Sequence, residues 1–280
     1  MKKTFLTIVI LLSVLLQTAC SSDSEKSDGG TVTPPVVTSD FIKAADISFL
    51  PEIEAAGVVF TNNGKTEDML TTLKSAGCNT IRIRLWKDPA NGHSGLTEVK
   101  TLAQRVKKAG LKVWLTVHYS DDWADPAVQT TPAAWKNLSF TDLKAAVASY
   151  TTTILTEINP DIIQIGNEIN TGLLWPQGHL INQEAQCIDL LKTMSTTIRS
   201  KAPSTKIMIH YAGVSATDTN WFFTKVKSVD YDYIGLSYYP IWHGKDLATI
   251  KTTIDALGKN FSKKVLIAED HESSNFSVQN

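Results

Sequence analysis

The sequence predicts an α/β fold of the (β/α)8 TIM-barrel class that lacks the eighth strand and its helix. Seven apolar, strand-like runs alternate with helical patterns, which favours a parallel sheet joined by right-handed crossovers. Polar side chains follow the runs where strands would end, as at the active-site rim of a barrel. The predicted strands cover residues 43–47, 80–86, 112–119, 161–166, 206–211, 233–238 and 264–268.

Two of the intervening helices have clear apolar faces. The first covers residues 67–76 and ends before Gly77, and the second ends before Gly110, a usual helix C-terminal residue. Their apolar positions are Met69, Leu70 and Leu73, then Val99, Leu102, Ala103 and Val106. A doubly wound sheet would show the same alternation, but it usually has a Gly-rich turn after the first strand, and none follows Ile47.

Composition excludes several classes of partner. The 27 basic and 28 acidic residues give a net charge of -1, so there is no basic surface of the kind that binds nucleic acids. With 42% hydrophobic residues the chain can bury a core of single-domain size.

Cys78 and Cys187 are far apart and lack metal-binding spacing, so we expect buried thiols, no metal site and no cofactor.

The first 40 residues have the features of an export signal and a tether. Lys2 and Lys3 precede a short apolar run, which predicts a signal peptide over residues 1–19. Cys20 follows small residues and is the predicted lipidation site, although an ordinary signal peptide with a chance Cys is the alternative. Residues 20–40 are polar and predict a flexible linker before a barrel domain at residues 41–280. We therefore expect an exported protein, lipid-anchored to the outer membrane at the cell surface or in the periplasm of a Gram-negative bacterium.

Two glutamates stand at the ends of predicted strands. Glu168 follows the fourth strand directly after Asn167, and Glu269 follows the seventh. Two carboxylates that face each other across a barrel mouth suit glycoside hydrolysis, in which one protonates the leaving oxygen and the other attacks carbon or activates water. The alternative is that each is a surface carboxylate or a member of a buried ion pair.

Arg82 and Arg84 alternate with apolar residues, so both point to the same face of their strand, which we expect to be the barrel interior. A buried Arg needs a carboxylate partner. Glu269 is one candidate, and pairing would lower its pKa; Asp46 is the other.

Several aromatic residues fall in the loops after strands, where they could stack on the C–H faces of sugars. They are Trp123, Trp175 and Trp242 with Tyr119 and Tyr239, whereas Trp86 and Trp114 lie inside strands and are interpreted as packing residues.

Four stretches carry a resemblance to a known family: "GVVFTNNGKTEDMLTTLKSAGCNTIRIRLWKDP", "VHYSDDWADPAVQTTPAAW", "IGNEINTGLLWPQG" and "YIGLSYYPIWHG". Together they resemble the arabinogalactan endo-β-1,4-galactanases of glycoside hydrolase family 53. The resemblance implies a (β/α)8 fold and endo-acting, retaining hydrolysis of internal β-1,4-galactosidic bonds in (arabino)galactan. It implies Glu168 as acid/base, Glu269 as nucleophile and Asn167 as a donor to the sugar 2-hydroxyl. The remaining predicted substrate-binding residues are Arg82, Arg84, His118, Tyr119, Asp121, Trp123, Trp175, His210, Tyr238, Tyr239 and Trp242.

The sequence departs from the family after Glu269. It stops eleven residues later, and Asp270 and His271 stand where a Thr and an aromatic residue are usual. We therefore expect a C-terminally truncated barrel. Calcium sites of bacterial members lie largely in the part that is missing, so calcium is possible only in a full-length relative.

Two other functions are compatible with parts of the sequence. The first is a surface galactan-binding lipoprotein without turnover, because its barrel is incomplete. The second is a barrel enzyme acting on phosphorylated metabolites, which the export signal and the lack of a Gly-rich phosphate loop disfavour.

Overall fold

The computed structural model describes residues 41–270. The predicted signal peptide, Cys20, the linker and His271 lie outside these residues, so their predictions are carried by sequence alone.

The described residues contain one large parallel sheet and one small hairpin. The seven strands of the large sheet lie in the order β1-β4-β5-β6-β7-β8-β9, and β2 pairs with β3 in the antiparallel hairpin. In chain order the strands are β1 (Ala44–Asp46), β2 (Thr61–Asn62), β3 (Lys65–Thr66), β4 (Thr80–Leu85), β5 (Lys112–Val117), β6 (Ile162–Ile165), β7 (Lys206–Ala212), β8 (Tyr233–Tyr238) and β9 (Lys264–Asp270). All seven predicted sheet strands are confirmed, and the hairpin was not predicted.

Helices follow the sheet strands, as predicted. They are α1 (Leu50–Ala55), α2 (Met69–Ser75), α3 (Leu96–Lys108), α4 (Phe140–Glu157), α5 (Glu184–Lys201), α6 (Ala216–Val226), α7 (Pro240–His243) and α8 (Leu247–Phe261). The predicted apolar face of α3 is buried. Side-chain caps start several helices, among them Asp68 at α2, Ser139 at α4 and Asp246 at α8.

Successive side chains of each strand point to opposite faces of the sheet, so the sheet has an outer and an inner layer of packed residues. In β4, Ile81, Ile83 and Leu85 face outward and form the main core with the helices. On the inner face, Trp114, Ile162 and Met208 make a separate apolar cluster. Polar inner residues lie nearer the carboxyl ends of the strands, so the apolar cluster is the floor of the site described below.

The sheet is open between its first and last strands. Within residues 41–270, β1 pairs with β4 and β9 pairs with β8, and β1 and β9 do not pair with each other. Every residue of β4 and β6 is buried, whereas β1 and β9 have exposed positions. The prediction of a barrel that lacks its eighth strand is therefore confirmed for the described residues.

Length and hydropathy of the described helices show that none could cross a bilayer.

Candidate active site

Inward-facing polar residues gather at the carboxyl ends of the sheet strands. Because parallel strands end at the same rim, side chains from β1, β4, β6, β7, β8 and β9 meet there. They include Asp46, Arg82, Gln164, His210, Ser237 and Glu269, with Asn167 and Glu168 directly after β6.

Arg82 is the centre of this group. Its Nη1 lies 2.8 Å from Asp46 Oδ2, and its Nη2 lies 2.6 Å from Glu269 Oε1 and 3.1 Å from Asn167 Oδ1. The sequence left Asp46 and Glu269 open as partners of the buried Arg, and the structure shows that Arg82 pairs with both. A guanidinium with five donors in a plane is suited to hold several acceptors at once.

Glu269 reaches Arg82 because the pairing of β8 and β9 is irregular. Leu236 is opposite Ile267, but Ser237 is opposite Glu269, so the register skips Ala268. In a regular strand Ala268 and Glu269 would face opposite sides, and the irregularity turns the carboxylate inward.

The Glu269 carboxylate is held in its ionised form. Burial raises its pKa, but the Arg82 charge and the hydroxyl of Tyr239, which donates to Oε2 at 2.8 Å, outweigh burial. The net result is a pKa lowered to about 2. A carboxylate that is ionised at neutral pH and aimed into the cleft can act as a nucleophile.

Glu168 lies in a drier and less positive environment. Only 9% of the residue is exposed, and burial together with the negative charge of Glu269 raises its pKa to about 7. Ser237 opposes this shift, because its hydroxyl donates to Glu168 Oε1 at 2.5 Å. A carboxyl group that keeps its proton near neutral pH can act as a general acid.

The backbone at Glu168 is also unusual. Its φ of 50° lies in the left-handed region, which non-glycine residues seldom adopt. Gln129 secures this turn, since its Nε2 donates to the carbonyls of Asn167 at 2.8 Å and Glu168 at 3.3 Å. The Glu168 amide in turn donates to His210 Nδ1 at 3.3 Å.

His118 and Trp123 belong to an aromatic cluster around Arg84, and the centres of their rings are 5.9 Å apart. The Arg84 guanidinium lies 4.2 to 4.5 Å from the ring centres of Phe49, Trp86 and Trp123. Half of Trp123 is exposed, whereas His118 is buried. This cluster offers an apolar surface on which a sugar ring can stack.

Arg84 corrects one expectation. A buried Arg was expected to need a carboxylate, but among the described residues Arg84 forms no ion pair and donates instead to Ser94 Oγ at 2.9 Å. Burial lowers its pKa. Cation–π contacts therefore replace the missing charge partner. Trp86, interpreted as a packing residue, is buried and forms one wall of this cluster.

The other predicted aromatic residues differ in their positions. Trp242 is 73% exposed and lies 5.1 Å from Tyr239, measured between ring centres, so it is next to the residue whose hydroxyl donates to Glu269. Trp175 is partly buried, stacks on His179 at 4.9 Å and donates from its indole to Thr171 O. Within residues 41–270, no hydrogen bond or ring contact joins the Trp175 side chain to Glu168 or Glu269.

Three predicted substrate-binding residues have other roles. Tyr119 follows inward-facing His118 and points outward into the core, where its hydroxyl bonds to Thr151 at 2.8 Å. Tyr238 likewise faces outward, and its hydroxyl donates to Gly244 O at 2.8 Å. Asp121 accepts from the backbone amides of Asp88 and Ala133, so it braces two loops. Tyr119 and Tyr238 are buried and their hydroxyls bond to the protein itself, so these contacts give no support to their predicted roles in binding substrate.

Three site residues were not predicted from the sequence. Gln164 and Ser237 are polar residues at inward positions of the apolar strands β6 and β8, and that position was the available signal. Gln129 lies in a loop, so no strand pattern indicates which way its side chain points.

Among residues 41–270, no group of three or more His, Cys, Asp or Glu side chains is arranged to hold a metal ion. Cys187 is buried and neither described cysteine is in a disulfide.

Comparison with known proteins identifies the family. The profile described as Glycosyl hydrolase family 53 matches residues 42–279. An uncharacterised protein of Niallia circulans is 38% identical over 82% of this chain and 67% of its own length. The endo-beta-1,4-galactanase of Bacillus subtilis strain 168 is 34% identical over 83% of this chain, which spans 57% of that relative.

A solved structure gives the same answer for the fold. A structure described as one of two fungal beta-1,4-galactanases superposes with a TM-score of 0.78 and 33% identity over 82% of this chain and 73% of its own. The family resemblance and the TIM-barrel class expected from the sequence are therefore confirmed. On the family match, the sequence identity and the shared fold, the chain belongs to glycosyl hydrolase family 53, a glycosidase family.

Proposed function

We propose that the chain hydrolyses internal β-1,4-galactosidic bonds of (arabino)galactan with retention of the anomeric configuration. The observation that carries the proposal is the contrast between two carboxyl groups at one rim: the pKa of Glu168 is raised to about 7 and that of Glu269 is lowered to about 2. One acid and one ionised carboxylate are what a retaining glycosidase requires. Relatives named galactanases support the substrate class.

In the first step, Glu269 attacks the anomeric carbon while the glycosidic C–O bond breaks and the leaving oxygen takes the proton of Glu168. In the second step, the Glu168 carboxylate removes a proton from water, which attacks the same carbon and releases Glu269. Each group ends the cycle in its starting form. A carboxyl separation of roughly 5 to 5.5 Å is expected for this double displacement.

Asn167 is positioned to hold the sugar beside the cleaved bond. Its Oδ1 accepts from Arg82 at 3.1 Å, and its Nδ2 donates to Ala124 O at 3.0 Å. An amide nitrogen carries two hydrogens, so one remains for a sugar hydroxyl. The Trp123 face and the exposed Trp242 would stack on sugars further along the chain.

The binding-only alternative gains no support from the site, because the acid and the nucleophile both have the protonation state that turnover needs. The proposed chemistry uses side chains alone and requires no cofactor. We further propose that the protein is exported and anchored through a lipid on Cys20, a proposal supported by the N-terminal sequence.

The test is digestion of linear β-1,4-galactan, with reducing ends measured over time and the anomer of the first product identified by NMR. We expect short oligosaccharides with β-configured new ends. Glu168→Gln should lose about 10²- to 10⁴-fold in rate, whereas Glu157→Gln, at an exposed glutamate paired with Lys100, should retain the native rate. An α-configured first product, or galactan binding without release, would contradict the proposal.

A further inference from the structure

A directed row of hydrogen bonds ends at the carboxyl group of Glu168. It runs from Gln164 on β6 to His210 on β7, then to Ser237 on β8, and from Ser237 to Glu168. The distances are 2.9 Å, 2.9 Å and 2.5 Å. All four residues are buried, so bulk water does not compete for these bonds.

The direction of the row follows from two groups that can act in one way only. Gly166 O can only accept, so the Gln164 atom 3.1 Å from it is the amide nitrogen, which therefore donates. The backbone amide of Glu168 can only donate, and it meets His210 Nδ1 at 3.3 Å. His210 Nδ1 also lies 3.2 Å from the acceptor Asn167 Oδ1, which receives a hydrogen from Arg82 Nη2 at 3.1 Å. The backbone amide of Glu168 therefore decides the assignment, and Nδ1 is the unprotonated nitrogen of the ring.

The rest of the row is then determined. Burial lowers the pKa of His210 to about 4, so the ring is neutral at neutral pH and carries its hydrogen on Nε2. Nε2 donates to Ser237 Oγ, which leaves the Ser237 hydroxyl hydrogen for Glu168 Oε1. Oε1 accepts this bond whether Glu168 is protonated or ionised.

We propose that Ser237, oriented by His210, confines the acidic proton of Glu168 to Oε2, the oxygen that delivers it to the leaving group. Within residues 41–270, Ser237 is the side chain that hydrogen-bonds this carboxyl group, so Oε2 remains for substrate. The inference rests on the proposed function. Ser237 and His210 are positioning residues, because they act through Glu168.

The hydrogen bond from Ser237 to Glu168 also stabilises the transition state of the proposed reaction. When the glycosidic oxygen takes the proton from Oε2, Glu168 becomes a carboxylate, and the Ser237 bond becomes charge-assisted and stronger. A bond that strengthens toward the transition state lowers the barrier. Glu269, Arg82 and Asp125 are the other charged groups that influence Glu168, and none of them changes in a Ser237 variant.

The first experiment compares two aryl β-1,4-galactobiosides, one with a phenol and one with a 2,4-dinitrophenol leaving group. Because dinitrophenolate leaves without a proton, Ser237→Ala should lose about 10- to 100-fold on the phenyl substrate and less than about threefold on the dinitrophenyl substrate. The alkaline limb of the pH–rate profile of Ser237→Ala should move to higher pH, because the hydrogen bond that the variant loses lowers the pKa of Glu168. Ser237→Thr keeps the hydroxyl and should restore both properties.

Ser195→Ala is the matched control, because it removes a buried serine hydroxyl that donates to Asp230 O outside the site. Equal losses of Ser237→Ala on both substrates would overturn the proposal.

The second experiment does not require activity. Nitrogen NMR of histidine-labelled protein, assigned with His210→Gln, should show the Nε2–H tautomer of His210, and carboxyl ¹³C titration should show a higher Glu168 pKa in Ser237→Ala. An Nδ1–H tautomer or an unchanged pKa would overturn the proposal. A native chain that cleaves neither galactoside nor galactan would contradict the proposed function, while these two spectra would still decide the position of the proton.

Discussion

The two halves of the site are held in place by different forces. Glu168 follows β6, a fully buried strand with neighbours on both sides, and neutral hydrogen bonds from Ser237 and Gln129 position it. Glu269 lies on β9, which pairs only with β8 among residues 41–270, and its firmest contact is the ion pair with Arg82.

The contrast explains how one fold keeps two like groups in opposite states. Burial without a positive partner favours the neutral acid at Glu168, and a bound guanidinium favours the anion at Glu269. In the proposed mechanism these are the acid half, around Glu168, and the nucleophile half, around Glu269. We expect the acid half to be sensitive to the loss of hydrogen bonds and the nucleophile half to the loss of charge.

The largest effect is expected from Arg82→Ala. It leaves the buried Glu269 carboxylate without its positive partner, so activity should fall by about 10²-fold or more, and stability by about 3 to 5 kcal/mol. The pKa of Glu269 should rise, and the acid limb of kcat/KM should move to higher pH. Rates over pH 2 to 7 and denaturant unfolding measure both effects.

Arg105→Ala is the matched control, because Arg105 forms a bidentate pair with Glu54 that is partly exposed. A surface pair contributes about 0 to 1 kcal/mol. If Arg82→Ala behaved like Arg105→Ala, the nucleophile half would not depend on charge.

The next effect is the pH dependence of the native enzyme. Glu168 works when protonated, so kcat/KM should fall about tenfold per pH unit as pH rises above about 7. Glu269 works when ionised, so its own limb should appear only as pH falls toward about 2. Initial rates on galactan across this range test the contrast, and an alkaline limb near the ordinary glutamate pKa would contradict it.

A smaller effect is expected from Gln129→Leu. The substitution removes the amide that donates hydrogen bonds to the carbonyls of Asn167 and Glu168. We expect kcat to fall about tenfold and the free energy of unfolding to fall by about 1 to 3 kcal/mol. Gln177→Leu removes a similar bond, from Nε2 to Leu138 O, away from the site. It should cost stability without changing kcat. A rate loss shared by both variants would show that the hydrogen bonds of Gln129 have no specific role in the site.

The smallest effect is expected from Asp46→Asn. The Asp46 side chain is 39% exposed, so solvent and salt screen its attraction to Arg82. Galactan hydrolysis should slow by about threefold or less, with the difference shrinking at high salt. A loss as large as that of Arg82→Ala would mean that Asp46, rather than Glu269, is the essential partner of the arginine.

The sequence predicted the strands and the main polar residues because both depend on local pattern. Apolar runs located all seven sheet strands, and the strand ends located Arg82, Asn167, Glu168 and Glu269. Tyr238 and Tyr239 show the limit of this approach. Both follow the pattern, but only Tyr239 faces the carboxylate, because successive strand residues alternate between the two sides.

Other features depend on contacts between distant segments. The pairing of β8 with β9 skips Ala268, and this irregularity turns Glu269 inward. It depends on how the two strands pair, so neither strand sequence alone indicates it. Gln129 reaches residues nearly forty positions away. Ser237 sits in an apolar run, and its role becomes visible only when His210 and Glu168 are placed beside it.

The most direct test of the account is to trap the covalent intermediate. A 2-deoxy-2-fluoro-β-galactobioside with a dinitrophenyl leaving group should label the protein once, and peptide mass spectrometry should locate the sugar on Glu269. Glu168→Ala should still be labelled, because that leaving group needs no proton. Sugar on Glu168, or an unlabelled protein that still releases reducing ends from galactan, would contradict the assignment of the acid and the nucleophile.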